Sequence, residues 1–241
     1  AAYEVAKVTK VHGENEKLNL PEVIAGLFIV LYYVGAYAGT AAPQYGAPFF
    51  CMMVLVFGYL CIFIVYVLNF PKYHASQIVG TLFAMTYPPV LLSFWYYTRM
   101  LDHGAYFAWM IFICSWVCDT AAYIFGSLFG KHKMAPVLSP KKSVEGAIGG
   151  IFGAALVGWL YALVLTYLGV KLEYMYWAFP LVSAIGALFS QIGDLTASAL
   201  KRDFEQKDYG NLIPGHGGIM DRFDSVLFTA PFIYYLVLLI Y

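Results

Sequence analysis

Four aspartates stand in otherwise apolar stretches of this 241-residue chain: Asp119 in CSWVCDTAAYIFG, Asp194 in FSQIGDLTASALKR, and Asp221 with Asp224 in PGHGGIMDRFDS. A carboxylate in an apolar membrane helix costs about 2.5–3.5 kcal/mol on insertion scales, so each needs a partner or a task. Spacing supplies a task. Asp194, Ser198 and Lys201 recur at intervals of four and three, which lines up carboxylate, hydroxyl and ammonium on one helix face. Asp221, Asp224 and Ser225 repeat the arrangement on the last helix. Two acidic faces joined by a short connector form a candidate cage for Mg²⁺, a hard cation that takes one or two carboxylates and completes its shell with substrate phosphate oxygens. For Asp119 the competing reading is an intramembrane ion pair with Arg or Lys.

Basic residues accompany the acidic ones. The connector KDYGNLIPGHGG supplies Lys207 and His216 together with Gly215, Gly217 and Gly218. Glycines let backbone N–H groups approach an anion, and the helix start that follows adds positive dipole. A second basic segment, GKHKMAPVLSPKKSVEG, runs from Gly130 to Gly146. Lys131 and Lys133 there serve equally well as topology signals. Ser139, Lys141, Lys142 and Ser143, followed by Glu145 and a glycine-rich helix start, suit the neutralisation of a polyphosphate. His12, His74, His103 and His132 have no evident partner in the sequence. Cys51, Cys61, Cys114 and Cys118 lie in apolar runs without metal-site spacing and read as small core residues.

The elements that must hold these groups are membrane helices. Hydrophobic residues make up 61% of the chain and charged residues 12%, with mean hydropathy +0.70. Soluble domains carry about 25% charged residues, so a soluble fold is excluded. Zero net charge excludes a nucleic-acid binder, which needs a basic excess. Apolar runs predict seven spans at roughly 21–39, 47–70, 78–98, 105–129, 146–169, 174–200 and 219–241, each long enough for a hydrocarbon core of about 30 Å. The fold class is therefore all-α, a polytopic helical membrane protein, with Pro88 and Pro89 expected to kink the third span. With the first segment inside, Lys7, Lys10, Lys17, Lys72, Lys131, Lys133, Lys141, Lys142, Lys201, Arg202, Lys207 and Arg222 fall on the cytoplasmic side. Only Arg99 and Lys171 fall outside, an asymmetry that supports both the span count and a cytoplasm-facing site. The polar stretch from Glu4 to Glu22 lacks the apolar core of a signal peptide. A chain beginning at Ala1 reads as a fragment. Residues 1–104 are expected to form N-terminal membrane helices and 105–241 a catalytic membrane domain, with its signature at 194–225.

The run SALKRDFEQKDYGNLIPGHGGIMDRFD, Ser198 to Asp224, resembles the signature of the phosphatidate cytidylyltransferases, or CDP-diacylglycerol synthases, in spacing and residue type. The resemblance extends back through Asp119-Thr-Ala-Ala-Tyr123, Gly130-Lys131 and the run from Ser139 to Gly146, whereas the first hundred residues match mainly as hydrophobic helices. It implies transfer of a cytidylyl group from CTP to phosphatidate at the cytoplasmic face of a bacterial-type inner membrane, within phospholipid biosynthesis. It also implies a homodimer and nine or so spans, so that two would precede this chain. Carried over by motif position, Asp194 and Asp221 are metal-binding, with Asp119 and Asp224 as further candidates and K⁺ a candidate beside the Mg²⁺. Lys201, Arg202, Lys207, Asp208 and His216 join the catalytic set. Ser139, Lys141, Lys142, Ser198, Gly217, Gly218 and Arg222 form the phosphate-binding set. The rival readings are a nucleotidyltransferase or kinase acting on another membrane lipid and, from a different class, a cation-coupled transporter. The D-G-x-x-A-R pattern of the CDP-alcohol phosphotransferases does not occur.

Overall fold

The computed structural model describes residues 1–11, 18–41, 46–212 and 217–241. Its helices are α1 (Ala2–Val8), α2 (Leu20–Ala41), α3 (Gly46–Leu68), α4 (Ala75–Met100), α5 (Gly104–Phe112), α6 (Cys118–Phe129), α7 (Val144–Tyr167), α8 (Met175–Asp203) and α9 (Met220–Ile240). A π-helical turn, Ile113–Val117, joins α5 to α6, so that Gly104–Phe129 forms one continuous span. Among the described residues, seven helices are long and apolar enough to cross a membrane. Their bounds fall within a few residues of the apolar runs, and the protein is a polytopic helical membrane protein. Helix α4 continues through both Pro88 and Pro89.

The chain divides into two compact units. The first comprises residues 1–93 and 204–221. Here α2 packs along α3, and Ala25, Ile62, Tyr73, Ile78, Leu82 and Met85 form a buried cluster. Two hydroxyls of this unit are paired across its helices, which offsets the cost of burying them. The Tyr32 hydroxyl meets Ser93 Oγ at 3.1 Å, and Tyr33 donates to the Pro89 carbonyl at 2.9 Å.

The second unit comprises residues 94–203 and 222–241. Helix α7 presents Gly146, Gly149, Gly150 and Gly153 to α6, an approach that only small residues permit. A Cβ at Gly146 would lie 2.7 Å from the Ala122 carbonyl oxygen, and one at Gly150 would lie 2.9 Å from that of Cys118. The thiols of Cys114 and Cys118 are buried and point to the Val182 and Ala187 carbonyls of α8, at 3.9 and 3.8 Å. Both behave as the small core residues their spacing predicts. In the π turn, Ser115 Oγ donates to the Ile111 carbonyl and meets Thr229 Oγ1 of α9 at 2.8 Å.

The basic segment differs from the plain loop its sequence predicts. It is an antiparallel hairpin of β1 (Lys133–Ala135) and β2 (Ser139–Ser143), paired Lys133 to Ser143 and Ala135 to Ser139 with an irregularity between. One further bond, Val144 N–H to the His132 carbonyl at 2.9 Å, runs the pairing into the start of α7.

Candidate active site

The hairpin and helices α6, α7 and α8 enclose a cavity of about 400 Å³, whose walls include Asp119, Ser139, Lys141, Lys142, Gln191 and Asp194. Lys142 on β2 forms an ion pair with Asp194 on α8, with both side chains about three-quarters buried. Ser198, one turn along α8, donates to Asp194 Oδ1 at 3.4 Å, so carboxylate and hydroxyl share a helix face as the spacing predicts. Asp119 on α6 lies near the Ser225 hydroxyl and within electrostatic reach of Asp194 and Lys142. Asp224 is buried near Asp194 and Lys201, and one of its oxygens accepts the Ser225 N–H at 2.7 Å. Three carboxylates and two ammonium groups from three spans and the hairpin thus lie within electrostatic reach of neighbours in this set, with Lys142 and Asp194 in direct contact. The cation within electrostatic reach of Asp119 is Lys142, whose own ion-pair partner is Asp194.

Local sequence explains how the hairpin is held. Ser143 caps α7 by accepting the Gly146 N–H at 3.1 Å, which satisfies one orphan donor of the first turn. Glu145 Oε2 accepts the N–H groups of Lys131 and His132 at 3.1 and 3.2 Å, while Oε1 meets His132 Nδ1 at 2.6 Å. The expectation that His132 lacks a partner is therefore corrected: the antiparallel pairing folds it back onto the helix start 13 residues later. Gln191 donates to the Ala147 carbonyl at 2.9 Å and to Cys118 Sγ at 3.4 Å, tying α8 to α7 and α6 along the cavity wall.

In the first unit, the segment leading to α9 is organised around Asp221. Its Oδ2 accepts the N–H of Tyr209 at 2.8 Å and that of Gly218 at 3.0 Å. Gly217 adopts φ +82, a left-handed conformation that glycine tolerates without strain. Glu4 of α1 accepts the N–H groups of Ile219 and Met220. Lys207 and Asp208 are exposed in the same segment. Lys201 and Arg202 occupy the last turn of α8, and Arg222 is exposed on the first turn of α9, all in the second unit. His216 lies outside the described residues, as do Lys17 and Gly215. The geometry therefore groups Asp119, Asp194, Asp224, Ser198 and Lys142 in one unit, and Asp221, Gly217 and Gly218 in the other.

For a metal, the donors are hard carboxylate and hydroxyl oxygens, the chemistry Mg²⁺ prefers. Among the described residues no three His, Cys, Asp or Glu side chains form a preassembled metal cluster. Mg²⁺ does not require one, since it keeps waters and takes phosphate oxygens, so the donor set fits. The aspartates and lysines stand out in the sequence, whereas Glu4 and Gln191 carry no local signal of the bonds they make. Ser143 and Glu145 did carry a signal, being a helix-start pair.

The comparisons with known proteins agree with this chemistry. Residues 1–240 match the cytidylyltransferase family. The phosphatidate cytidylyltransferase of Staphylococcus aureus (strain COL) is 38% identical over 192 residues, 78% of this chain and 71% of its own length. Proteins of the same description from Staphylococcus epidermidis (strain ATCC 12228) and Staphylococcus haemolyticus (strain JCSC1435) are each 42% identical over 140 residues, 58% of this chain and 52% of theirs. A family match along essentially the whole chain, joined to clustered acidic and basic groups at the ends of apolar spans, leads to one conclusion: the chain belongs to the cytidylyltransferase family.

Proposed function

We propose that the chain is a phosphatidate cytidylyltransferase, converting CTP and phosphatidate to CDP-diacylglycerol and pyrophosphate. A phosphatidate oxygen attacks the α-phosphorus of CTP, and the bond from that phosphorus to the oxygen bridging the α- and β-phosphates breaks, with pyrophosphate carrying away the electron pair. The nucleophile is a phosphate that is already largely ionised near pH 7, so no covalent enzyme intermediate is needed. Catalysis of such a step consists mainly of positioning and charge neutralisation.

The observation that carries this reading is the Lys142–Asp194 pair in the wall of a cavity that also receives Lys141 and Ser139. Lys142 and Lys141 are suited to bind the triphosphate, with Ser139 and Ser198 as hydroxyl donors. The signature supports Lys201, Arg202, Lys207 and Arg222 as further phosphate contacts, backbone N–H groups of Gly217 and Gly218 as anion donors, and Asp208 and His216 as members of the catalytic set. Asp194 and Asp221 are the metal carboxylates by motif, with Asp119 and Asp224 able to contribute and K⁺ able to accompany Mg²⁺. When bound, Mg²⁺ would neutralise charge developing on the phosphate oxygens. Seven spans suit an enzyme whose lipid substrate and product both stay in the bilayer, and the distribution of Lys and Arg favours a cytoplasmic site. A homodimer is part of the same reading.

Incorporation of labelled CTP into chloroform-soluble product, dependent on phosphatidate and Mg²⁺, tests the proposal. Product formed with a polyprenyl phosphate but not with phosphatidate would transfer the chemistry to another lipid. Cation-driven solute uptake without any labelled lipid would make the protein a transporter.

A further inference from the structure

We propose that Glu4 is a positioning residue of the signature segment, holding the start of α9, and with it Asp221, in register from the opposite end of the chain. Glu4 is only 8% exposed. Its Oε1 accepts the Ile219 N–H at 2.9 Å and its Oε2 the Met220 N–H at 2.7 Å. These are among the first N–H groups of α9, which have no partner within the helix. A carboxylate at that point satisfies two of them with charge-assisted bonds and also meets the positive end of the helix dipole. The cap comes from 215 and 216 residues away in sequence, where helix starts are ordinarily capped by the residue just before them.

The surrounding backbone is shaped to admit this carboxylate. A Cβ at Gly218 would lie 2.5 Å from Glu4 Oε1, and one at Gly210 would lie 2.9 Å from the same atom. Both glycines of the signature segment therefore serve the close approach of Glu4. The bonds continue directly into the candidate metal carboxylate. Gly218 N–H and Tyr209 N–H both donate to Asp221 Oδ2, and Asp221 follows Met220 in the chain. Glu4 thus fixes the backbone on which Asp221 stands, and Asp221 Oδ2 in turn ties Tyr209 to Gly218. Nothing in the short run AAYEVAKV marks this role.

The activity arm of the test rests on the cytidylyltransferase reading, and a second arm does not. In the full chain reconstituted in lipid nanodiscs, Glu4→Ala is expected to lower kcat about a hundredfold, the scale of a misplacement of about 1 Å at a reacting centre, with KM for CTP nearly unchanged. Glu4→Gln, which keeps one acceptor oxygen, should fall between. Gly218→Ala should reproduce the defect, because its Cβ displaces the Glu4 carboxylate. The double variant Glu4→Ala/Gly218→Ala should be no worse than Glu4→Ala alone, since the clash then disappears. Independently of turnover, amide hydrogen exchange across residues 217–222 should accelerate in both Glu4 variants while the hairpin at 131–145 stays as in the wild type. Glu4→Ala turnover within twofold of wild type, additive losses in the double variant, or unchanged exchange at 217–222 would each overturn the proposal. If Glu4→Ala fails to fold, Glu4→Gln and Gly218→Ala carry the same comparison. A wild-type chain that makes no CDP-diacylglycerol would refute the functional reading, and the exchange measurement would still decide the anchor.

Discussion

Glu145 and Glu4 each gather backbone N–H groups of a segment that carries candidate chemistry, but Glu145 reaches across 13 and 14 residues and Glu4 across 215 and 216. The Glu145 tie is open to water, with its His132 partner 79% exposed. The Glu4 tie is buried. Water competes for the bonds of an exposed pair, so its loss is partly made good, whereas a buried N–H left without an acceptor is not compensated. The basic hairpin is thus held by several small local devices: the strand pairing, the Ser143 cap and the Glu145 clamp. Among the described residues, the bonds gathered by Glu4 near Asp221 involve a carboxylate that is itself buried, so each of them matters more.

The largest effect is expected where the charge itself is removed. Asp194→Asn should abolish most nucleotidyl transfer, by about a hundredfold or more, in a chain that still inserts and folds. Near-full activity of this variant across a Mg²⁺ titration would remove Asp194 from the candidate metal set. Asp119→Asn separates a site role from a structural one. A cluster that needs its charge for chemistry predicts lower turnover, partly restored by higher Mg²⁺, at unchanged melting temperature. Loss of a structural partner instead predicts about 3–5 kcal/mol of destabilisation with normal turnover per folded molecule. Thermal melting and cation titration of the purified variant distinguish these.

Lys142→Met probes the hairpin directly and should raise KM for CTP about tenfold, with a smaller fall in kcat, because the ammonium is suited to bind phosphate as well as to pair with Asp194. An unchanged KM would reduce Lys142 to a topology signal. The smallest effect belongs to the exposed clamp. Glu145→Gln should alter KM for CTP by no more than about threefold, and less at high salt, which screens an exposed pair. If Glu145→Gln were as damaging as Glu4→Ala, the contrast between open local ties and buried distant ones would fail. Gly149→Val offers a packing control. Its side chain would press into Phe125 on α6, and overpacking of this kind costs about 1–3 kcal/mol, read as a lower melting temperature with KM unaffected.

Composition and residue order determined the fold class, the seven spans and the identity of the clustered charges. Apolar runs long enough for a bilayer leave the backbone little choice but helix, and charge inside such runs is rare enough to stand out. The pairing of Asp194 with Ser198 followed from helical spacing alone, because residues four apart always share a face. The hairpin was less legible. Its short strands, with Pro140 inside one of them, carry little β signal, and only the pairing of Lys133 with Ser143 turns a basic loop into a positioned one. Which cation meets which carboxylate was decided by tertiary structure, since Lys142 and Asp194 are 52 residues apart and no periodicity links them. The same holds more strongly for Glu4. An acidic residue in a short first helix has no local feature that names its partners, and only folding of residues 204–221 with residues 1–93 brings its carboxylate to the start of α9.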